Sequence, residues 1–305
     1  MYDMIIVGGG PAGLTAAVYA LRAGKTVLVI EKNGFGGQIA YSPKVENIPG
    51  TRQISGSEFA EQLTEQALAL GAEVELETVT AVQPIDSGFA VATEEGGTYE
   101  GKTVILAVGV KHRMLGLPGE TDLIGNGLSF CAVCDGAFYT GQDTAMIGGG
   151  NSALQEALLL SEVCRKVTVV QNLADFTGEK ALSQALLEKE NVEVLFSTLV
   201  EGYLSENGSL SGLAVRNTET GETREIAVDG AFLAVGLVPE NAAFAELTPT
   251  DERGYFAAVE DCLTATPGVF VAGDCRQKTI RQVVTASADG AVAAMAACRY
   301  LDGIA

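Results

Sequence analysis

The sequence is poor in basic residues, in long apolar runs and in cysteine, and each shortage narrows what the protein can do. Nineteen Lys and Arg stand against thirty-nine Asp and Glu, so the net charge of −20 repels the phosphates of nucleic acids and of anionic lipids. No run approaches the roughly 18 to 20 uncharged apolar residues of a membrane helix, and the first predicted strand begins too close to Met1 for a signal peptide. We therefore expect a cytoplasmic protein that binds neither nucleic acid nor membrane.

Cysteine is also too scarce for a disulfide framework, with six residues in a chain of 305. Only Cys131 and Cys134 are close in sequence, which favours reactive use of this pair over a structural bridge. The 47% of apolar side chains can bury two hydrophobic cores, and a prior of about 150 residues per domain agrees with two. A disordered or fibrous protein is therefore excluded.

An internal repeat organises the chain. Residues 5–32 align with residues 145–172 without a gap, and in both copies an apolar strand enters a glycine-rich turn, a helix follows, and a second apolar strand comes after a basic residue. Each copy therefore predicts a βαβ unit. A second echo follows each unit, because residues 106–109 and 233–236 both read Leu-Ala-Val-Gly at the end of an apolar strand.

The order of these segments predicts an α/β protein with two Rossmann-like dinucleotide-binding domains of the three-layer ββα kind. Residues 268–274 and the helix after them follow the second unit, so we expect the C-terminus to complete the first domain. The predicted domains are a discontinuous domain at 1–112 plus 243–305 and an inserted domain at 113–242, which carries the cysteine pair.

The first glycine turn, Gly8–Gly13, predicts a dinucleotide site. Gly8 permits a tight turn, Gly10 lets the backbone approach a pyrophosphate, and Gly13 lets helix and strand pack closely. The phosphates would lie at the helix N-terminus, where free N–H groups and the helix dipole favour negative charge. Glu31 ends the second strand, where a carboxylate can accept hydrogen bonds from a ribose diol. Packing alone is the other explanation of such a turn.

The sequence resembles the low-molecular-weight thioredoxin reductases, FAD-dependent pyridine-nucleotide disulfide oxidoreductases, over nearly its whole length. The resemblance rests on Gly36-Gly37-Gln38, Val45-Glu46-Asn47-Ile48-Pro49-Gly50, Cys131-Ala132-Val133-Cys134-Asp135-Gly136, Gly148-Gly149-Gly150-Asn151-Ser152-Ala153, Gly273-Asp274 and Arg281-Gln282. It implies that the first site holds FAD, with Asp274 at the ribityl chain and Gln282 and Val283 beside the flavin ring. The cofactor residues it implies are Gly8, Gly10, Pro11, Ala12, Gly13, Glu31, Lys32, Gly37, Gln38, Asn47, Gly109, Gly273, Asp274, Arg281, Gln282 and Val283.

The Cys131–Cys134 pair is the predicted chemical centre, because a CxxC pair at a helix start exchanges between dithiol and disulfide. A zinc site would need two further ligands, and we predict no metal because the remaining cysteines are solitary and His112 is the only histidine. By the resemblance Cys131 attacks the partner's disulfide, Cys134 faces the flavin, and Asp135 protonates the leaving thiolate. An N-cap is the alternative role for Asp135, and the two could coexist.

The second glycine turn, Gly148–Ala153, lacks the residues that select a nicotinamide nucleotide. Gln171 takes the place of Glu31, so the carboxylate that selects NADH is absent. The thioredoxin reductase pattern has a His-Arg-Arg run and a further arginine there, and this chain has Gln171, Asn172, Leu173 and Thr177. This argues against ordinary NADPH use and makes NAD(P)H doubtful as a cofactor.

Two explanations follow for the electron donor. Gln171 and Asn172 could bind the ribose as neutral partners and give weak NADH use, or the electrons arrive from elsewhere, as in ferredoxin-dependent flavin thioredoxin reductases. Arg276, Lys278 and Arg281 form a basic island in an acidic chain, to which ferredoxin would be steered, although solvated loop charges explain them equally well.

We therefore predict a homodimeric flavoenzyme that reduces a thioredoxin-like protein, with ferredoxin or another non-nicotinamide donor favoured over NADH or NADPH. A non-catalytic redox-sensing flavoprotein, with the disulfide as its switch, is the rival from another class.

Overall fold

The computed structural model describes residues 1–41, 45 and 47–303, with the side chains of Tyr41, Val133 and Cys134 left out. The chain divides into two compact units, which are Met1–Lys111 with Val238–Ala305, and His112–Leu237. That these units fold as separate domains with ends at residues 113 and 242 stays a prediction. None of the helices in the described part is long and apolar enough to cross a bilayer.

The first unit is built on a parallel sheet. Its strands are β1 (Tyr2–Val7), β2 (Val27–Glu31), β3 (Glu73–Leu76), β4 (Val79–Ile85), β5 (Gly88–Thr93), β6 (Thr98–Leu106) and, near the C-terminus, β17 (Val269–Val271). The order β3-β2-β1-β6 is parallel, β17 also pairs with β6 in parallel, and β5 and β4 continue the sheet in antiparallel fashion. The helices are α1 (Pro11–Arg22), α2 (Gly56–Ala69) and, at the C-terminus, α7 (Val283–Leu301).

Alternation along the buried strands separates two cores in this unit. Met4 and Ile6 of β1 face a cluster shared with α1 and α7, while Ile5 and Val7 face a cluster under β4 and β5. Short 3₁₀ helices cover Gly37–Tyr41 and Ala242–Phe244.

The second unit repeats this plan. Its parallel sheet has the order β11-β10-β9-β15-β8, and an antiparallel sheet has the order β12-β13-β14. The strands are β8 (Leu128–Ser129), β9 (Asp143–Ile147), β10 (Lys166–Val170), β11 (Val192–Leu195), β12 (Thr198–Glu206), β13 (Ser209–Asn217), β14 (Thr223–Ala227) and β15 (Gly230–Leu233). The helices are α3 (Glu120–Leu123), α4 (Ala132–Asp135), α5 (Asn151–Val163) and α6 (Lys180–Leu187), and a 3₁₀ helix covers Gly136–Tyr139.

Two further short strands, β7 (Val110–His112) and β16 (Leu237–Pro239), pair in a two-stranded sheet. Both glycine turns follow the strands β1 and β9, which lie inside the two parallel sheets, and each leads directly into a helix. Both units therefore have the predicted Rossmann-like α/β architecture, and the turns lie at the carboxyl edge of each sheet, where such folds bind ligands.

Candidate functional site

The first glycine turn is shaped by close contacts between backbone segments. Gly8 has a φ of +111°, and a Cβ there would lie 2.3 Å from the carbonyl oxygen of Ala107. Its N–H donates to the carbonyl oxygen of Ile30 (2.8 Å), which ties the turn to the end of β2. Because α1 begins at Pro11, the first N–H groups of the helix have no partner within it and point into the turn. The turn therefore presents donors to an anion such as a pyrophosphate.

Glu31 is held beside this turn and supports it. The residue is 9% exposed, its Oε2 accepts the Gly9 N–H (2.7 Å), and its Oε1 accepts the Asn33 N–H (3.0 Å). Each carboxylate oxygen can accept a second hydrogen bond, so the predicted contact with a ribose is compatible with this bracing role. The neighbouring Lys32 is exposed and pairs with Glu240.

The segment after β2 returns to the same turn. A Cβ on Gly37, whose φ is +62°, would lie 3.1 Å from the Cα of Gly10, so the 3₁₀ helix begins directly against the glycine turn. The side chain of Gln38, on this 3₁₀ helix, is exposed. A Cβ on Gly10 would meet no protein atom closer than 3.8 Å, which leaves open space on the side where a pyrophosphate would lie.

Two predicted residues that are far apart in sequence meet at the start of α7. The amide nitrogen of Asn47 donates to Oε1 of Gln282 (2.9 Å). Gln282 is the N-cap of α7 and forms a capping box with Thr285, and Val283 is the first residue of the helix. The structure thus brings Asn47, Gln282 and Val283 together, as their predicted place along one cofactor requires.

The loop after β17 presents an acceptor without a hydrogen-bond partner. Within the described residues, Oδ1 of Asp274 is buried and accepts no hydrogen bond, and burial raises the pKa of this carboxyl. The backbone nearby is open, because no protein atom lies within 4 Å of a Cβ built on Gly109. A hydroxylated group such as the ribityl chain of FAD would satisfy Asp274, so the residues of this unit fit the predicted cofactor.

The interpretation of Arg276, Lys278 and Arg281 as an exposed basic island is wrong. Arg276 is 1% exposed and forms a bidentate ion pair with Asp289, and the side chain of Lys278 is 5% exposed and contacts the same carboxylate. The guanidinium of Arg281 lies 4.0 Å above the ring of Tyr255. Asp289 comes more than ten residues later, on α7, so the local run of basic residues gave no sign of this buried partner.

The segment 131–134, which carries the cysteine pair and which we call the cysteine turn, lies in the second unit. Cys131 is half-buried, takes part in a disulfide, and precedes α4. Its N–H donates to Oγ of Ser129 (3.1 Å), and that hydroxyl donates to Oδ2 of Asp135 (2.5 Å). Asp135 ends α4, and its side chain makes no capping hydrogen bond to the 3₁₀ helix that follows, so the alternative role as an N-cap is wrong. We predict that Cys134 faces the flavin, and the side chain of Cys134 lies outside the described part of the structure.

The four remaining cysteines are buried free thiols, and burial raises the pKa of each; they are Cys164, Cys262, Cys275 and Cys298. For Cys262 and Cys275 the pKa is raised to about 12, so these thiols stay protonated at neutral pH. No group of three or more His, Cys, Asp or Glu in residues 1–41, 45 and 47–303 is placed to hold a metal ion. His112 stacks on Phe130 at 5.0 Å, and burial lowers its pKa.

The second glycine turn has the backbone of the first. Gly148 has a φ of +132°, a Cβ there would lie 2.4 Å from the carbonyl oxygen of Ala234, and α5 begins at Asn151. The side chain beneath it differs, because Gln171 is 3% exposed and donates from Nε2 to the carbonyl oxygen of Asp175 (2.9 Å). This nitrogen is therefore engaged by the loop after β10.

The same loop places the carboxylate of Glu179 at the start of α5. Asn151 accepts the Glu179 N–H at Oδ1 (2.7 Å) and donates from Nδ2 to Oε1 of the same residue (3.0 Å). Asp175 and Glu179 are both exposed here, and Lys180, the first residue of α6, is the one cation of the segment 171–180. The electrostatics at this turn thus disfavour an additional phosphate.

Comparison with known proteins identifies the family. The pyridine nucleotide-disulphide oxidoreductase family matches residues 2–290. The chain belongs to this family. It is 41% identical over 302 residues to a thioredoxin reductase of Treponema pallidum, covering 99% of this chain and 97% of the relative, and 38% identical over 303 residues to that of Bacillus subtilis, covering 99% and 95%.

Solved structures agree with this family assignment. The thioredoxin reductase of Lactococcus lactis superposes with a TM-score of 0.93 at 34% identity, covering 99% of this chain and 100% of that one. The thioredoxin reductase of T. acidophilum gives a TM-score of 0.90 at 34% identity, covering 100% and 99%. The predicted family and its enzymatic nature are thereby confirmed. The suggestion of a ferredoxin-dependent member finds no support in these relatives, whose family is defined by a pyridine nucleotide.

Sequence reasoning missed two residues at the cysteine turn of this oxidoreductase. Ser129 links the backbone of Cys131 to the carboxylate of Asp135, and Glu156 of α5 accepts the Ala132 N–H at Oε2 (3.0 Å). Burial raises the pKa of Glu156 to about 7, and the hydrogen bond from Ala132 opposes the rise. Ser129 is two residues from Cys131 and a search for polar neighbours could have found it, whereas nothing in the spacing links Glu156 to the turn.

Glu156 should give the oxidoreductase a pH-dependent stability. Its folded pKa of about 7 lies above the ordinary glutamate pKa of 4.5, so between about pH 4.5 and about pH 7 the folded chain holds a proton that the unfolded chain has lost. The contribution of Glu156 to stability therefore falls as the pH rises through this window and is constant above it. In urea unfolding experiments, the free energy of unfolding of Glu156→Gln relative to that of the wild type should rise by about 1 to 3 kcal/mol between pH 4.5 and pH 7.

Glu162→Gln is the matched control, because Glu162 lies on the same helix with a side chain that is 63% exposed. We expect this variant to follow the pH dependence of the wild type. Identical pH dependence of Glu156→Gln and the wild type would contradict the assignment.

Proposed function

We propose that this oxidoreductase reduces the disulfide of thioredoxin, using electrons that pass from NAD(P)H through FAD to the Cys131–Cys134 pair. The observation that carries the proposal is the cysteine turn, in which Cys131 takes part in a disulfide and Ser129 hydrogen-bonds both to the Cys131 N–H and to the carboxyl group of Asp135. Whole-length similarity to thioredoxin reductases supports the choice of substrate.

FAD would be held by the first unit. The first glycine turn would bind the pyrophosphate through backbone N–H groups, Glu31 the ribose, and Asp274 the ribityl chain, while Asn47 and Gln282 would lie along the cofactor. When bound, FAD supplies transfer of an electron pair between the nicotinamide nucleotide and the disulfide.

The cysteine pair carries those two electrons to thioredoxin. The thiolate of Cys131 attacks one sulfur of the thioredoxin disulfide, which forms a mixed disulfide and releases the other sulfur as a thiolate. Asp135 donates a proton to that thiolate, and Ser129 keeps the acid within reach. Cys134 then attacks the Cys131 sulfur and breaks the mixed disulfide, and the proton that the Cys134 thiol loses goes to the released thioredoxin sulfur. The enzyme disulfide forms again, and thioredoxin leaves as a dithiol. We take these roles of the two cysteines from the family resemblance.

For the electron donor, the proposal adopts a nicotinamide nucleotide in place of ferredoxin. The relatives favour it, and Arg276 and Lys278 of the basic island that suggested ferredoxin are buried and paired with Asp289. Between the two nucleotides the proposal favours NADH, because the loop after β10 offers carboxylates and neutral side chains where a 2′-phosphate needs arginines.

Thioredoxin would contact the exposed aromatic residue beside the cysteine turn. Phe138 is 77% exposed, although a phenylalanine normally buries its ring, and it lies four residues after Cys134 on the 3₁₀ helix. Covering this ring is a source of binding energy for a protein that must present its disulfide to Cys131.

The proposal also includes a homodimer. Val284, Val292 and Met295 are each about 40% exposed and lie within about 80° of one another around the axis of α7, so they form an apolar stripe. A second copy of the chain would cover this stripe, and sedimentation of the purified protein tests it.

The donor is tested by anaerobic mixing of the enzyme with NADH, with NADPH and with reduced ferredoxin, while the absorption of oxidised flavin is followed. We expect NADH to bleach the flavin at a concentration at least about tenfold lower than NADPH. The double variant Asn172→Arg/Leu173→Arg should improve NADPH use, since it restores cations for the 2′-phosphate. Bleaching by ferredoxin alone would refute a nicotinamide donor, and a preference of the wild type for NADPH would refute the choice of NADH.

The cysteine roles are tested by Cys134→Ser, with Cys164→Ser as the control because Cys164 is a buried free thiol. Cys134→Ser should retain bound flavin and lose thioredoxin reduction, as the enzyme disulfide can no longer form. The control should keep its activity. Thioredoxin turnover by Cys134→Ser would show that the roles are misassigned, and a wild type whose flavin is reduced without thioredoxin turnover would favour a redox sensor.

The docking contact is tested by Phe138→Ala, with Leu187→Ala as the control on another exposed apolar residue of the same unit (57% exposed). Loss of a buried ring costs roughly 1.5 to 3 kcal/mol, so the KM for thioredoxin should rise about 10- to 100-fold. Flavin reduction by the nucleotide should be unchanged, because thioredoxin takes no part in it. An unaltered KM, or equal effects of both variants, would contradict the contact.

A further inference from the structure

Four charged side chains meet at the loop after β17, and we call them the charge cluster: Asp274, Arg276, Lys278 and Asp289. Three of them are buried, and the side chain of Asp274 is 26% exposed. Asp289 is 5% exposed and accepts two hydrogen bonds from Arg276 (2.9 and 2.8 Å) and one from Lys278 (2.9 Å). Arg276 also reaches Glu260, but that carboxylate is 88% exposed and lies at the solvent side. Removal of several charges from water is costly even when they are paired, so the arrangement calls for an explanation beyond packing.

The charge cluster fixes the backbone that carries Asp274. The carboxylate of Asp289 accepts the Gly273 N–H (3.0 Å), and Arg281 donates from Nε to the carbonyl oxygen of Asp274 (3.2 Å). A Cβ on Gly273 would lie 2.8 Å from the Cβ of Ala12, so the loop also touches the first turn of α1. The position of Asp274 relative to the first glycine turn is thereby set from three directions.

The net charge of the charge cluster depends on whether Asp274 is ionised. Arg276 and Lys278 contribute two positive charges and Asp289 one negative charge, so the four side chains are neutral together only when Asp274 is ionised. Lys278 Nζ lies between the two carboxylates, 2.9 Å from Asp289 and 3.9 Å from Asp274. An ionised carboxylate accepts hydrogen bonds at both oxygens, whereas a protonated one offers a donor in place of an acceptor.

We propose that Lys278 and Asp289 are positioning residues for FAD. Asp289 holds the backbone that carries Asp274, and Lys278 keeps Asp274 ionised so that its free oxygen accepts a hydrogen bond from a hydroxyl of the cofactor. The inference rests on the proposed FAD site and adds to it the residues that decide its affinity. Burial and Asp289 raise the pKa of Asp274, and Lys278, Arg281 and Arg276 lower it, so removal of Lys278 favours the protonated form.

The test measures the dissociation constant of FAD from the recovery of flavin fluorescence as the holoenzyme is diluted, across a range of pH. Lys278→Met should weaken binding about 10- to 100-fold, since a hydrogen bond to a charged acceptor is lost, and the loss should grow as the pH falls. Lys278→Arg should restore most of the affinity because the charge is kept. Glu260→Gln is the matched control and should bind FAD as the wild type does.

The possible results distinguish a failure of this inference from a failure of the proposed function. A folded Lys278→Met protein, checked by circular dichroism, that binds FAD within about twofold of the wild type would overturn the inference. A pH profile of binding identical to that of the wild type would also overturn it, since a purely structural role leaves the profile unchanged. Asp289→Asn is expected to weaken binding as well, and if it does not fold, the Lys278 variants decide. Failure of the wild type itself to bind FAD would instead refute the proposed function.

Discussion

The close approach of backbone to backbone at the two glycine turns is the constraint on which the rest of the molecule depends. At Gly8 and at Gly148 a side chain would collide with the carbonyl oxygen at the end of a neighbouring strand. This contact fixes where α1 and α5 begin, and the start of each helix places unpaired N–H groups at the carboxyl edge of its sheet. One geometric device, used twice, thus creates both places where the fold can receive a dinucleotide.

The two copies of this device diverge in the side chain beneath the turn. In the first unit a buried carboxylate braces the turn through Gly9 and keeps acceptors for a ribose. In the second unit Gln171 donates to the loop after β10, and the carboxylate of Glu179 lies at the start of α5. The two turns therefore share their backbone and differ in their electrostatics, and the second lies in the same unit as the cysteine turn.

The fold was predictable from the sequence because its determinants are local. The glycine spacings, the apolar strands and the gapless repeat lie within stretches of about 30 residues, and each has a direct structural meaning. The family followed from short motifs spread along the chain, among them the cysteine pair and Gly273-Asp274. The contacts that tune the sites were not predictable, because they join residues that are remote in the chain: Asn47 with Gln282, Ala132 with Glu156, and Arg276 with Asp289. The basic island failed for this reason, since proximity in sequence says nothing of a buried partner on a later helix.

The central claim is that a flavin and a reversible disulfide in the same chain exchange electrons, and a reductive titration tests it most directly. Anaerobic addition of dithionite to the purified holoenzyme should consume about four electron equivalents per chain, two for the flavin and two for the disulfide. Cys131→Ser should consume about two. Uptake of only two equivalents by the wild type, or a protein that carries no flavin, would contradict the account.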